Sequence, residues 1–140
     1  MKSVVCDVNV VFKLLITEPD SEQAFRVIEN SQVVVPELLF LEVGNALWSR
    51  IHAGRSDFDQ VRGWFQDLEK FEFDVRPIRP YVGQALQIAD TLDRPIYDCL
   101  YLALAETLSI PFVTADARLL SAIRRAPRPS NEVIALADFA

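Results

Sequence analysis

The sequence predicts an α/β protein, a three-layer sandwich with a central, mostly parallel sheet of about five strands flanked by helices. Two observations predict it. Short β-branched runs such as Ser3-Val4-Val5-Cys6 and Val33-Val34-Val35 are continuously apolar rather than alternating, which marks strands buried on both faces. These runs alternate along the chain with segments of helical periodicity, the pattern of βαβ units. At 51% hydrophobic and 24% charged residues, the 140-residue chain has the makings of one globular domain over 1–140.

The first strand ends in Asp7, and Val8 to Ile16 is apolar enough for a helix. Thr17-Glu18-Pro19-Asp20 is a turn, because Pro19 breaks a helix. Asp20 or Ser21 caps a second helix carrying Ala24, Val27 and Ile28 at helical spacing. Pro36 stops the Val33–Val35 strand and suits the first position of a helix running from Glu37 to about Ala53, with Gly54 as its stop. Ser56 or Asp57 starts the return helix to about Phe71, completing a helical hairpin. Phe73 to Ile78 alternates as a strand. Pro80 opens a helix to about Leu92, and Asp93-Arg94-Pro95 is a turn. Tyr97 to Leu108 is a strongly apolar helix, and Pro111 to Thr114 is a strand. Asp116 caps a helix through Leu119, Leu120 and Ile123. Arg124 to Asn131 is a Pro- and Arg-rich loop before a last edge strand, Glu132 to Leu136.

Asp7 cuts short the opening apolar run, so no secretory leader is expected. No apolar run reaches the roughly 18 residues of a membrane span. Cys6 and Cys99 lie in apolar surroundings without metal-ligand spacing, which fits reduced thiols and a cytoplasmic location. The net charge of −6 disfavours simple polyphosphate binding, but not a nucleic-acid enzyme whose acidic residues line a metal pocket.

Four carboxylates sit where burial is expected. Asp7 ends a buried strand, and Asp116 follows Phe112-Val113-Thr114-Ala115. Glu42 lies within Leu38-Leu39-Phe40-Leu41-Glu42-Val43, and Asp98 within Ile96-Tyr97-Asp98-Cys99-Leu100. A buried carboxylate needs a cation or strong hydrogen bonds. No lysine or arginine falls on the same apolar faces, so a hard divalent cation, Mg²⁺ or Mn²⁺, is the expected partner. Asp7 and Asp116 both follow strands and would share one edge of a parallel sheet. Singly, each has a plainer reading: Asp116 as a helix cap, Asp98 as a helix-dipole partner, Glu42 as a solvent-facing residue.

The ordered set Val5-Cys6-Asp7, Pro36-Glu37-Leu38-Leu39-Phe40-Leu41-Glu42-Val43-Gly44-Asn45-Ala46-Leu47-Trp48, Tyr97-Asp98-Cys99-Leu100-Tyr101-Leu102-Ala103-Leu104-Ala105 and Val113-Thr114-Ala115-Asp116-Ala117-Arg118-Leu119 resembles the PIN-domain ribonucleases, specifically the VapC-type toxins of bacterial toxin–antitoxin pairs. The resemblance covers essentially the whole chain. It implies a PIN-like sandwich and a Mg²⁺-dependent endoribonuclease, with Mn²⁺ as a substitute. It implies a catalytic quartet of Asp7, Glu42, Asp98 and Asp116, with Asp7, Asp98 and Asp116 as metal ligands. Glu42 is then a ligand of a second ion or the residue that orients the attacking water. Asn9, Asn45 and Thr114 match supporting polar positions. It also implies an RNA substrate, a homodimer and a small antitoxin that blocks the active site. Asn9 stands where many members carry a small hydroxyl residue, and Cys99 where alanine is common.

Arg118, Arg124, Arg125 and Arg128 are candidates for holding RNA, with a solvated face as the alternative. Trp48, Phe58, Trp64 and Phe65 belong to the core or to a partner-facing surface, and His52 is expected to be exposed. A phosphatase with a nucleophilic aspartate is disfavoured, because Asp7-Val8-Asn9 lacks a second aspartate and Lys70 is the last lysine. A catalytically idle scaffold is disfavoured by the complete quartet.

Overall fold

The structure is a computed structural model that describes residues 1–126 and 131–140. Among these, the strands β1 (Lys2–Cys6), β2 (Ser31–Pro36), β3 (Asp74–Arg76), β4 (Phe112–Thr114) and β5 (Val133–Ala135) form one sheet in the order β3-β2-β1-β4-β5. Every pairing is parallel, so the α/β sandwich predicted from the continuous apolar runs is the one observed. Val4, Val5, Val33, Val34, Val35, Phe112 and Val113 are all buried, as strands covered on both faces require.

The strand order reverses direction at β1. The chain moves outward from β1 through β2 to β3, then crosses back to add β4 on the other side of β1. Ligand crevices in open α/β sheets form at such a reversal, beyond the carboxyl ends of the strands. Register places Val5 beside Phe112 and Cys6 beside Val113, so Asp7 and the residues after Thr114 emerge together at that crevice.

The helices are α1 (Val8–Phe12), α2 (Ser21–Asn30), α3 (Leu38–His52), α4 (Phe58–Glu69), α5 (Val82–Leu92), α6 (Ile96–Leu108) and α7 (Ala117–Arg125). Helix α6 is the inner one: Cys99 to Ala105 are buried without interruption, and it packs on β1, β2 and β4 with α5 alongside. A helix apolar all round belongs in such a position. Helices α3 and α4 pack as the expected hairpin, and Asp57 begins α4 with a capping box to Gln60.

Several boundaries differ from the sequence reading. The first helix stops at Phe12 instead of Ile16, and Lys13 turns inward to bridge Glu18 at 2.6 Å and Asp20 at 3.0 Å. Pro36 is the last residue of β2, opposite Arg76, and α3 starts two residues later. Strand β3 covers only Asp74–Arg76, because as an edge strand it has a single neighbour to pair with. Arg124 and Arg125 form the last turn of α7, not a loop, and basic residues there suit the helix dipole; Arg128 lies outside the described residues. Both cysteines are buried and neither forms a disulfide among the described residues. Trp48 is 56% and Phe58 63% exposed, whereas Trp64 and Phe65 pack against the core. His52 is exposed and stacks on Trp48 at 5.1 Å.

Candidate active site

Asp7 leaves β1 and caps α1. Its carboxylate is 2% exposed and fully engaged by neutral donors. Oδ1 accepts the Val8 N–H at 2.8 Å, while Oδ2 accepts the Thr114 hydroxyl at 2.7 Å and the Asn9 amide at 3.3 Å. The latch extends across the strand gap. Asn9 Oδ1 accepts the Ala115 N–H at 3.0 Å, and Thr114 Oγ1 accepts the Asp116 N–H at 3.0 Å. Asn9 and Thr114 therefore tie the ends of β1 and β4 together around Asp7. Burial pushes the Asp7 carboxyl up to about 7, against the pull of its Thr114 and Val8 hydrogen bonds; the charges of Asp98 and Glu42 push it further up.

Asp116 caps α7, its Oδ1 accepting the Arg118 and Leu119 N–H groups at 2.9 and 3.1 Å. The cap reading was right for this oxygen. Its Oδ2 is turned to a different task and accepts from Arg94 Nη2 at 3.2 Å. The same nitrogen donates to Asp98 Oδ2 at 3.2 Å. This corrects the expectation that no basic residue reaches the carboxylates. Arg94 is not merely part of a turn: Asp93 takes a left-handed conformation at φ 52° to end α5, the Arg94 N–H donates to the Ala89 carbonyl, and the side chain lies back over the first turn of α6. The signal available in the sequence was the four-residue spacing from Arg94 to Asp98, hidden by the intervening Pro95. Burial raises the Asp98 carboxyl above the usual range; Arg94 opposes that rise and Asp116 adds to it.

Glu42, on α3, accepts the Tyr101 hydroxyl at 2.6 Å. Its carboxyl is also raised, by burial first, then by Asp98, against the Tyr101 hydrogen bond. Burial and the Glu42 charge push the Tyr101 phenol up, so it stays a donor. Tyr101 was another missed participant, although a tyrosine inside an all-apolar helix needs a partner for its hydroxyl. Asn45 borders a cavity of about 420 Å³ with Asn9, Lys13, Glu18 and Glu42, one helical turn from Glu42. On the other side, Arg94, Arg118, Ser121 and Arg125 line a groove of about 510 Å³. Arg124 is exposed outside it.

The four carboxylates lie in one another's field without closing on a common point. Among the described residues, no three His, Cys, Asp or Glu side chains approach closely enough to hold a metal ion. The donor chemistry nevertheless fits a hard cation: the groups are all oxygen donors, and a cationic nitrogen already stands between Asp98 and Asp116.

The PIN domain family model matches residues 4–126. Ribonuclease VapC3 of Pyrobaculum aerophilum is 30% identical over 123 residues, covering 85% of this chain and 92% of that protein. Ribonuclease VapC12 of Mycobacterium tuberculosis is 28% identical over 118 residues, covering 83% and 88%. Among solved structures, PAE2754 from Pyrobaculum aerophilum superposes with a TM-score of 0.72 at 20% identity over 97% of this chain and 85% of that one. FitAcB from Neisseria gonorrhoeae gives 0.66 at 16% identity, over 97% and 99%. VapBC2 from Rickettsia felis, solved bound to a DNA fragment from its promoter, gives 0.63 at 13% identity, over 94% and 96%. These structural likenesses concern the fold.

Proposed function

The chain belongs to the PIN-domain family, and we propose that it is a divalent-cation-dependent endoribonuclease, the toxin of a toxin–antitoxin pair. The two named ribonucleases among its relatives support the substrate class. The single observation that carries the reading is the bridging of Asp98 and Asp116 by one Arg94 nitrogen beside the sheet's reversal point, with Asp7 at the end of β1 in the field of Asp98 and Glu42. Asp7, Asp98 and Asp116 would hold Mg²⁺ or Mn²⁺. When bound, the cation supplies positive charge at the phosphoryl group and makes water a better nucleophile near neutral pH.

The chain's own residues do the rest. Thr114, Asn9 and the Val8 N–H fix the Asp7 carboxylate in one orientation, so it is preorganised and does not rotate away. Tyr101 fixes Glu42 and leaves its second oxygen to accept a proton or orient the attacking water. Arg118 and Arg125, along α7, hold the RNA backbone beside the acidic pocket, where their charge offsets its repulsion of phosphate. The partner is a small antitoxin whose cationic segment enters the acidic crevice; two structural neighbours are VapBC and toxin–antitoxin complexes.

The test is to incubate the purified chain with RNA in Mg²⁺ and in excess chelator, and to map the new ends. Cleavage is expected only with the cation, leaving 5′-phosphates. Cleavage that persists in chelator, or cyclic phosphate ends, would overturn the reading.

A further inference from the structure

We propose that Arg94 is an exchangeable counter-ion of this site: it neutralises Asp98 and Asp116 while no divalent cation is bound, yields both when one binds, and then turns its guanidinium to an RNA phosphate in the groove along α7. The inference rests on the metal-site reading above and adds a residue to it.

Three observations carry it. First, one nitrogen, Nη2, serves both carboxylates at 3.2 Å each. Charge-assisted N–H···O bonds run nearer ~2.7–2.9 Å, so the bridge is loose. Mg²⁺ binds carboxylate oxygens at about 2.1 Å, a closer contact than the guanidinium makes with these oxygens. Second, the guanidinium is incompletely partnered: Nε is buried and has no hydrogen-bond acceptor. A purely structural arginine in this half-buried position would be expected to use its other donors. Third, Arg94 already lines the groove that also contains Arg118, Ser121 and Arg125.

A divalent cation taking the Asp98 and Asp116 Oδ2 atoms competes with the Arg94 guanidinium for the same acceptors and repels it, which favours its displacement. The groove beside it is lined by Arg94, Arg118 and Arg125 with one acidic residue, Asp93. Once Arg94 leaves its two carboxylates, a backbone phosphate is the anion the substrate brings to these arginines. Cation binding and RNA binding are thereby coupled through one side chain: the first frees Arg94 and the second captures it.

The experiment is calorimetric titration of Mn²⁺ into the full chain and into Arg94→Met, with KM and kcat measured on a short oligoribonucleotide. Arg94→Met is expected to bind Mn²⁺ at least about fivefold tighter, while KM for the oligonucleotide rises severalfold. A purely structural arginine would not give that opposed pair. Mn²⁺ affinity equal to or weaker than the parent's overturns the counter-ion role, and an unchanged KM overturns the phosphate role. If neither protein binds Mn²⁺, the metal-site reading itself fails. Should Arg94→Met not fold, the Arg94 Nε–H resonance of the parent decides: it shifts on adding Mg²⁺ if Arg94 is displaced, and an unmoved resonance contradicts the proposal.

Discussion

Asp7 follows β1 and Asp98 lies in the first turn of α6, and their surroundings share little. Asp7 is buried and held by a hydroxyl, an amide and a backbone N–H. Asp98 is half-buried and held by the guanidinium of Arg94, which it shares with Asp116. The first carboxylate is managed by neutral dipoles that fix its geometry and by a raised affinity for a proton. The second is managed by a guanidinium that it shares with Asp116. The difference separates two requirements of one site: a ligand preorganised in place, and a charge that can be handed from one positive partner to another.

The largest effects test whether the two halves act as one. Asp7→Asn and Asp98→Asn should each lower RNA cleavage by about a thousandfold or more, roughly 4 kcal/mol of transition-state stabilisation. Single-turnover cleavage of a labelled RNA measures it. A variant that keeps most of its rate removes its half from the reaction.

Stability should separate the halves. Thr114→Val takes away the donor to Asp7 and the acceptor of the Asp116 N–H in a fully buried position. It should cost about 2–3 kcal/mol in urea denaturation with chelator present. A loss under about 0.5 kcal/mol would mean the latch is not what holds Asp7.

The pH dependence belongs to the Asp7 half. Its carboxyl moves from 3.8 in the unfolded chain to about 7 in the fold, so between those values the folded state binds more protons. Stability contributed by protonated Asp7 is complete below about pH 4 and is lost as the pH rises through 7. In chelator, the parent should lose on the order of 4 kcal/mol relative to Asp7→Asn between pH 4 and 8. Parallel pH profiles for the two proteins would show that Asp7 does not titrate in this range.

The smallest effect falls on the other half. Asp98 is partly exposed and its raised carboxyl is partly compensated by Arg94. Asp98→Asn in chelator should therefore stabilise the fold slightly, by under ~1 kcal/mol. Thermal melts at neutral pH read this, and a clear destabilisation would make the Arg94 bridge a structural brace.

The fold was legible in the sequence, and the four carboxylates were singled out because they contradict their surroundings. Asp7 and Asp116 stand out at the ends of apolar strand runs, and Glu42 and Asp98 stand out inside apolar helices. The sheet followed from continuous β-branched runs, for the same reason of burial on both faces. Arg94 was illegible because its role depends on Asp93 adopting a left-handed turn and on a side chain reaching across Pro95 to the next helix. The extra length assigned to β3 has a comparable origin: Phe73 to Ile78 alternates like a strand, but pairing needs a neighbour, and an edge position offers one on a single side. The exposure of Trp48 and Phe58 was likewise open, since aromatic residues on a helical hairpin serve a core and a partner surface equally well.

Thermal unfolding of the parent, Asp7→Asn and Asp98→Asn, each with chelator and with millimolar Mg²⁺, tests the central claim most directly. If both halves hold one cation, Mg²⁺ raises the parent's melting temperature through binding to the folded state, and each substitution removes most of that rise. If either variant keeps the parent's full response, Asp7 and Asp98 do not share an ion, and the acidic crevice is not a single metal site.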